Sequence, residues 1–238
     1  MATSPLSPKS FDSFMNITAS EVANMAFKLE GDLLFLSDPP TLEMVRHGYR
    51  IGLFAMPLDH LGLGNYIYGW FFPKVRGVIS IPPPINSKLI KVPKSLRHSA
   101  KSMTVTVNYD FSQVIQSCAE ADRPGKWIND KIVKIYSELH HLGEAYSIEV
   151  WDKKNPTELI GGLYGVAFED FFAGESMFHK RNDASKVALL ALMDLAEQKG
   201  WVMIDTQWIT PHLEYMGATT IPWNVYLEII DSESQGSD

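Results

Sequence analysis

The sequence predicts an α/β (α+β) protein, a sheet with helices packed on it. Three observations carry that reading. Strand-like stretches outnumber helical ones and interleave with them along the chain instead of segregating. The stretch from Glu158 to Gln207 runs through a hairpin-like pair (ELIGGLYGVAF, FFAGESMF), a helix from about Asp183 to Lys199 and a strand, VMIDTQ, in immediate succession. A hydrophobic content of 45% over 238 residues, with no internal repeat, suits a folded core in one large domain or in a small domain beside a larger one.

In chain order, the Ser- and Pro-rich start MATSPLSPKSFDSF reads as disordered. SEVANMAF is next, a short helix with Ser20 at its cap. Pro39-Pro40-Thr41 stops one segment and opens LEMVRHGYRIGLF, a helix on the spacing of Leu42, Val45 and Tyr49 that ends at Gly52. AMPLDHLGLGNYIYGWFFP, rich in glycine and aromatics, reads as a loop-and-hairpin wall. Gly77 to Ile81 is a strand and IPPPINS a Pro-rich connection. The boundary this implies near Pro73 to Arg76 makes residues 1–75 a small N-terminal domain and 76–238 the main domain. MTVTVNY alternates as a strand, Asp110 caps the helix FSQVIQSCAEA, and Trp127 sits in the loop GKWIND. Asn129 opens the helix DKIVKIYSELHHL, closed by Gly143, and YSIEVW is a strand. The helix after Asp183 is apolar nearly all round at VALLALM and stops at Gly200. NVYLEII reads as a last strand, and DSESQGSD as a solvated acidic end.

Composition narrows the function classes. No apolar run approaches the roughly 18 residues of a membrane span, and the start lacks the charged-then-apolar pattern of a secretory signal, so the reading is cytosolic with no membrane partner. A single cysteine, Cys118, excludes an internal disulfide and a thiolate cluster; its place on an i, i+3, i+4, i+7 stripe makes it a core residue. The seven histidines show no ligand spacing, and neither metal nor cofactor is inferred. No coiled-coil heptad or long apolar stripe calls for a partner subunit, so the reading is a monomer.

Charge is unevenly spread. The formal net charge is -7, yet from Leu61 to Tyr109 there is no Asp or Glu, while Lys74, Arg76, Lys88, Lys91, Lys94, Arg97 and Lys101 are all cationic. A helix after Pro93 gathers Lys94, Arg97, His98 and Lys101 on one side. The bland reading is a solvated face and the sharper one a polyanionic partner.

The central stretch carries the candidate chemistry. In VMIDTQ the side-chain period is two, so Asp205 and Gln207 share one face of the strand while Ile204 and Thr206 share the other. Extended geometry likewise puts Glu175 and Met177 of GESMF on one face, a charge beside an apolar wall. The paired Gly161-Gly162 marks a bulge or a close backbone approach.

These blocks, GGLYGVAF, FAGESMF, ASKVAL, IDTQ and MGATTIP, together with TVNYDFSQVIQSCA, KWI and AYSIEVW, resemble the leucyl/phenylalanyl-tRNA–protein transferases, over roughly Leu29 to Leu227. The resemblance implies a C-terminal domain similar to the GNAT acyltransferase fold behind a smaller N-terminal domain. It implies transfer of Leu, Phe and less readily Met from aminoacyl-tRNA to the N-terminal amine of proteins beginning with Lys or Arg, marking them for degradation. Asp205 and Gln207 match the catalytic hydrogen-bonding pair, and Glu175 an acidic active-site residue. Trp127 matches an aromatic that holds the terminal adenosine. Leu163, Phe172, Met177 and Ile204 fall on donor-pocket positions, and Lys94, Arg97 and Lys101 in the tRNA-binding segment. The sequence departs from the family at GLFAMP, where Met56 replaces a Trp expected beside the adenosine, and at WFFP, which keeps Trp70 but differs in the residues after it. Leu192 and Ala196 replace aromatics of the donor pocket.

Two other readings stay open on the sequence alone. An acyl-CoA-dependent N-acetyltransferase uses a glycine-rich loop before a helix, and ESMFHKRNDASK offers no glycine there. A non-catalytic adaptor that reads tRNA or N-termini is motivated by Met56 and the altered pocket.

Overall fold

The computed structural model describes residues 11–59, 66–81, 92–122, 126–168 and 170–231. The first ten residues, IPPPINS beyond Ile81, Lys88, Lys91 and the acidic tail from residue 232 lie outside these. In chain order the elements begin α1 (Phe11–Met15), α2 (Ala19–Lys28), β1 (Leu33–Ser37), α3 (Leu42–Arg50), β2 (Phe54–Asp59), β3 (Tyr66–Phe71) and β4 (Val75–Ser80). They continue with α4 (Lys94–Ala100), β5 (Met103–Val107), α5 (Phe111–Glu120), α6 (Asp130–His141), β6 (Ala145–Asp152), β7 (Leu159–Ala167) and β8 (Phe171–His179). The last are α7 (Ala184–Lys199), β9 (Met203–Gln207), α8 (Pro211–Tyr215), β10 (Thr219–Pro222) and α9 (Trp223–Asp231). The alternation of strands and helices gives the mixed α/β architecture read from the sequence.

The chain divides into two compact units, Met1–Arg76 with Thr220–Asp238, and Gly77–Thr219. The first holds an antiparallel sheet ordered β1-β3-β2 over an aromatic core in which Trp70, Phe14 and Phe35 pack on one another. Three sequence expectations are corrected here. NVYLEII is the helix α9, not a strand: its β-branched residues invite a strand, but Trp223, Tyr226, Leu227 and Ile230 recur at helical spacing, and Trp223 and Leu227 pack on the core of the first unit. The residues from Thr220 group with the first unit. The helix of SEVANMAF is capped by Thr18 instead of Ser20, in a capping box with Glu21, and FDSF at the end of the start is helical, with Phe14 fully buried.

The second unit is built on the strands β4-β9-β8-β7-β6-β5, neighbours in that order in one sheet. The pairs β4–β9, β5–β6, β6–β7 and β7–β8 are antiparallel, whereas β8 and β9 lie parallel because α7 carries the chain between them. Both faces are covered. A Cβ on Gly161 would stand 2.5 Å from Ala184 Cβ at the start of α7, and one on Gly162 would meet Val114 of α5 on the opposite face. The Gly161-Gly162 pair thus lets backbone approach from one side and helix from the other, the close approach expected of it. Caps fall where the sequence puts them: Asp110 accepts from Gln113 N–H, Asn129 from Ile132 N–H, and Gly200 ends α7 in the left-handed region.

Candidate active site

The central sheet opens where β8 and β9 part. The two strands pair only through Phe171 with Met203, Phe172 with Ile204 and Ala173 with Asp205, although β8 runs on to His179 and β9 to Gln207. The cause lies on the other edge of β8. Gly165 faces Gly174 and Tyr164 faces Ser176, so Glu175 is an extra residue, a bulge that bends and twists its strand. The bulge requires Gly165, where a Cβ would collide with Ala173 O and the Phe172 ring. On the other side the strand β9 ends abruptly, with Gln207 in the left-handed region at φ 56. At the mouth of this opening, a Cβ added to Gly174 would find only Asp205 O at 3.6 Å and Ile204 Cγ2 at 4.0 Å.

Asp205 is fully buried, and its Oδ1 accepts the Gln207 backbone N–H at 2.8 Å. That hydrogen bond closes a two-residue turn and fixes the carboxylate beside the amide. Gln207 is 9% exposed, and its side-chain Nε2 has no hydrogen-bond partner among the described residues. A buried amide donor left without an acceptor is costly, and an ordered water or a ligand oxygen satisfies it. Glu175 accepts a hydrogen bond from the Tyr136 hydroxyl at 3.1 Å, while the Tyr136 ring packs edge-on against Tyr164. Arg181 pairs with Asp152 at 2.9 Å.

The register separates polar from apolar groups. Ala173 and Tyr164 lie on the α5/α6 face, and Asp205, paired with Ala173, shares it. Glu175 reaches Tyr136 of α6 on that same face. Leu163, Phe172 and Ile204 lie on the other face, buried in the core beneath α7, with Met177 partly buried against them and Phe172 stacked on Trp201 at 5.2 Å. The expectation that Glu175 and Met177 share a face is therefore corrected, because the bulge at Glu175 breaks the period of two. The carboxylates and the apolar set therefore lie on opposite faces of the sheet and do not line one hollow from one side.

The family model described as leucyl/phenylalanyl-tRNA protein transferase matches residues 85–231. The chain belongs to that family. It is 39% identical over 202 residues to the leucyl/phenylalanyl-tRNA–protein transferase of Ruegeria pomeroyi, covering 85% of this chain and 90% of that one. It is 40% identical over 201 residues to that of Nitrobacter winogradskyi, covering 82% and 84%. Among solved structures it is similar to a tandem GNAT protein from the clavulanic acid biosynthesis pathway, with 12% identity, TM-score 0.39, and 86% and 68% of the two chains covered. It is also similar to L-PGS from Bacillus licheniformis, with 9% identity, TM-score 0.37, and 76% and 57% covered. As a leucyl/phenylalanyl-tRNA protein transferase, the chain is an aminoacyltransferase, and the remaining residues singled out by the family's pattern can be located.

Trp127 is half-buried in the segment leading into α6, and Met56 is half-buried on β2 opposite Gly69. Trp70, kept from the family's pattern, is fully buried: its indole N–H donates to Ser37 Oγ at 2.9 Å, and its ring leaves Gly48 no room for a Cβ. Lys94, Arg97 and Lys101 are exposed along and just beyond α4. Two cations of the basic stretch are turned inward: Arg76 is buried, donates to Gly52 O at 3.0 Å and lies over the Tyr226 ring at 4.3 Å, while Lys74 donates to Leu29 O. Charge counting overlooks this, because a guanidinium stacked on aromatic rings is a core element. Sequence reasoning also passed over Tyr136. Its signal was a hydroxyl on the buried stripe Ile132, Ile135, Tyr136, Leu139, which needs a polar partner inside.

Proposed function

We propose that this chain transfers Leu or Phe, and less readily Met, from aminoacyl-tRNA to the N-terminal amine of proteins beginning with Lys or Arg, tagging them for degradation, and that it works as a cytoplasmic monomer. The observation that carries this reading is the Asp205–Gln207 turn, buried at the end of β9 where β8 departs, with the Gln207 amide lacking an acceptor among the described residues. An aminoacyl ester is already activated, so the site has to align an amine with a carbonyl and move one proton. An α-amine with a pKa near 7.7 to 8.0 is about one-tenth neutral at pH 7, so modest base assistance suffices.

In the step itself the amine nitrogen bonds to the ester carbon, the carbon–oxygen bond to ribose breaks, and the proton lost by nitrogen passes to the ribose oxygen. Asp205 accepts the hydrogen bond of the attacking amine, held in place by the Gln207 backbone N–H, and the Gln207 side chain donates to a substrate oxygen. Alignment supplies most of the acceleration. Glu175, on the same face, attracts a basic acceptor N-terminus. Met177 and Ile204, with Leu163 and Phe172 behind them, form the apolar wall that the donor side chain meets. Trp127 is the platform for the terminal adenosine, and Lys94, Arg97 and Lys101 hold tRNA phosphates.

The test is transfer of labelled Leu or Phe from tRNA to a peptide with N-terminal Arg, alongside a peptide with N-terminal Ala. Robust transfer to the Arg peptide is expected, falling by on the order of 10²- to 10⁴-fold in Asp205→Asn and Gln207→Ala. Near-normal turnover in both variants removes the proposed roles, and labelling that depends on acyl-CoA in place of tRNA removes the reaction.

A further inference from the structure

We propose that Lys153 and Lys154, in the turn between β6 and β7, together with the adjacent Lys180, extend the cationic face of α4 into one binding surface for the phosphodiester backbone of the tRNA upstream of its 3′ end. The proposal rests on the tRNA reading above. It differs in naming a surface outside the α4 segment.

Three separate segments converge on Ser102. The Lys153 N–H donates to Ser102 O at 3.0 Å, and the Arg181 guanidinium donates to Ser102 O and Oγ, both at 3.1 Å. Arg181 also bridges to Asp152 at 2.9 Å, while the backbone N–H groups of Lys180 and Arg181 both donate to Ile160 O. Residues 94–102, 152–158 and 180–181 are thereby tied into one patch holding seven Lys or Arg and two carboxylates. Both carboxylates are engaged: Asp152 by Arg181 and by the Lys154 N–H, Glu158 by the Asn155 amide at 3.3 Å. Lys94, Arg97, Lys101, Lys153, Lys154 and Lys180 are exposed, and none of them makes an ion pair among the described residues.

Six unneutralised cations held together repel one another, and on a chain of net charge -7 they form a local field of opposite sign. A polyanion relieves that repulsion and gains by releasing its own counterions. The patch also lies within reach of the site. β8 runs from Ala173, level with Asp205, to His179, so Lys180 stands about 20 Å farther along the same strand at about 3.3 Å per residue. A tRNA approaching from that end of the sheet would pass these cations before its ester reached Asp205.

The experiment measures binding of the full chain to a deacylated leucine tRNA transcript between 50 and 200 mM KCl. Lys153→Ala/Lys154→Ala/Lys180→Ala is compared with Lys94→Ala/Arg97→Ala/Lys101→Ala and with Lys131→Ala/Lys134→Ala, two exposed α6 lysines. The first variant is expected to lose about 2 to 3 from the slope of log affinity against log salt and to bind on the order of tenfold or more weakly, while the α6 variant keeps the wild-type slope. Lys153→Arg/Lys154→Arg/Lys180→Arg, which keeps the charge, is expected to retain that slope; its loss would show a structural effect and overturn the proposal. A wild-type slope in the first variant with a lowered one in the α4 variant removes the turn and leaves the tRNA reading standing. Wild-type slopes in both remove the two together.

Discussion

Asp183 shows how a single side chain does more than its local rule suggests. It precedes α7 at φ 69, a left-handed conformation that Asp and Asn tolerate better than most residues, yet it does not cap its own helix. Its carboxylate instead accepts from Lys186 Nζ at 2.8 Å and Ser99 Oγ at 2.9 Å, tying α4 to α7. Those two hydrogen bonds, the Lys186 one foremost, hold its pKa below the ordinary Asp value. A carboxylate with a lowered native pKa stabilises the fold above the unfolded-chain value and loses that contribution as pH falls through the native one. Asp183→Asn is therefore expected to be about 0.5 to 1 kcal/mol less stable than wild type at pH 7, with the gap closing as pH drops below about 4, measured by urea denaturation across pH. A gap that stays constant down to pH 2.5 would show that the charge is not what matters. At this scale the sequence was partly legible. The period of two put Asp205 beside Gln207, but it could not show the left-handed backbone that ends β9. Nor could it show that Trp70 and Arg76 turn inward, since burial depends on what the rest of the chain lays over them.

Among the elements, β8 decides the site because it carries one residue too many for its partner. The hairpin of β7 and β8, the helix α7 and the strand β9 are readable from composition and glycine punctuation, and they occur where the letters put them. The bulge is not readable, because Gly174-Glu175-Ser176 fits a regular strand equally well, and only the pairing with Gly165 and Tyr164 exposes the extra residue. The same limit explains α9, whose β-branched residues mimic a strand until its helical stripe meets a core. The opening created by the bulge gives a prediction at this scale. Gly174 has neither a left-handed φ nor a crowded Cβ position, so Gly174→Ala should fold normally and stay active. Gly174→Leu fills the gap between β8 and β9 and should lower kcat/KM for tRNA-dependent transfer by on the order of 10²-fold, as misplacement of a reactant by about 1 Å does. The melting temperature of both variants should remain near wild type. Full activity in Gly174→Leu would mean that the substrate does not use this opening.

At the scale of the whole molecule, the two ends of the chain build one unit, an arrangement no linear reading of domains supplies. Trp223 and Leu227 of α9 join the core of Trp70, Phe14 and Phe35, and Tyr226 closes over Arg76 with its ring at 4.3 Å and its hydroxyl 3.2 Å from the guanidinium. Burying a guanidinium is expensive unless its donors and its flat face are both covered, and Gly52 O, Phe54 and Tyr226 provide that cover from within the same unit. Gly52 itself leaves no slack: a Cβ there would stand 2.9 Å from the Phe72 ring and 3.3 Å from Leu227. A chain ended after Pro222 keeps β10 but removes all of α9, stripping Tyr226 from Arg76 and opening an apolar face on residues 11–76. Limited proteolysis is then expected to cut within residues 11–76 at least tenfold faster than in the full chain, because local opening sets the rate of cleavage, while cleavage within 77–219 changes little. Tyr226→Phe, which keeps the ring and removes only the hydroxyl, should fall between the two. If the shortened chain resists protease in residues 11–76 as well as the full chain does, α9 is a passenger on that unit and not part of its core.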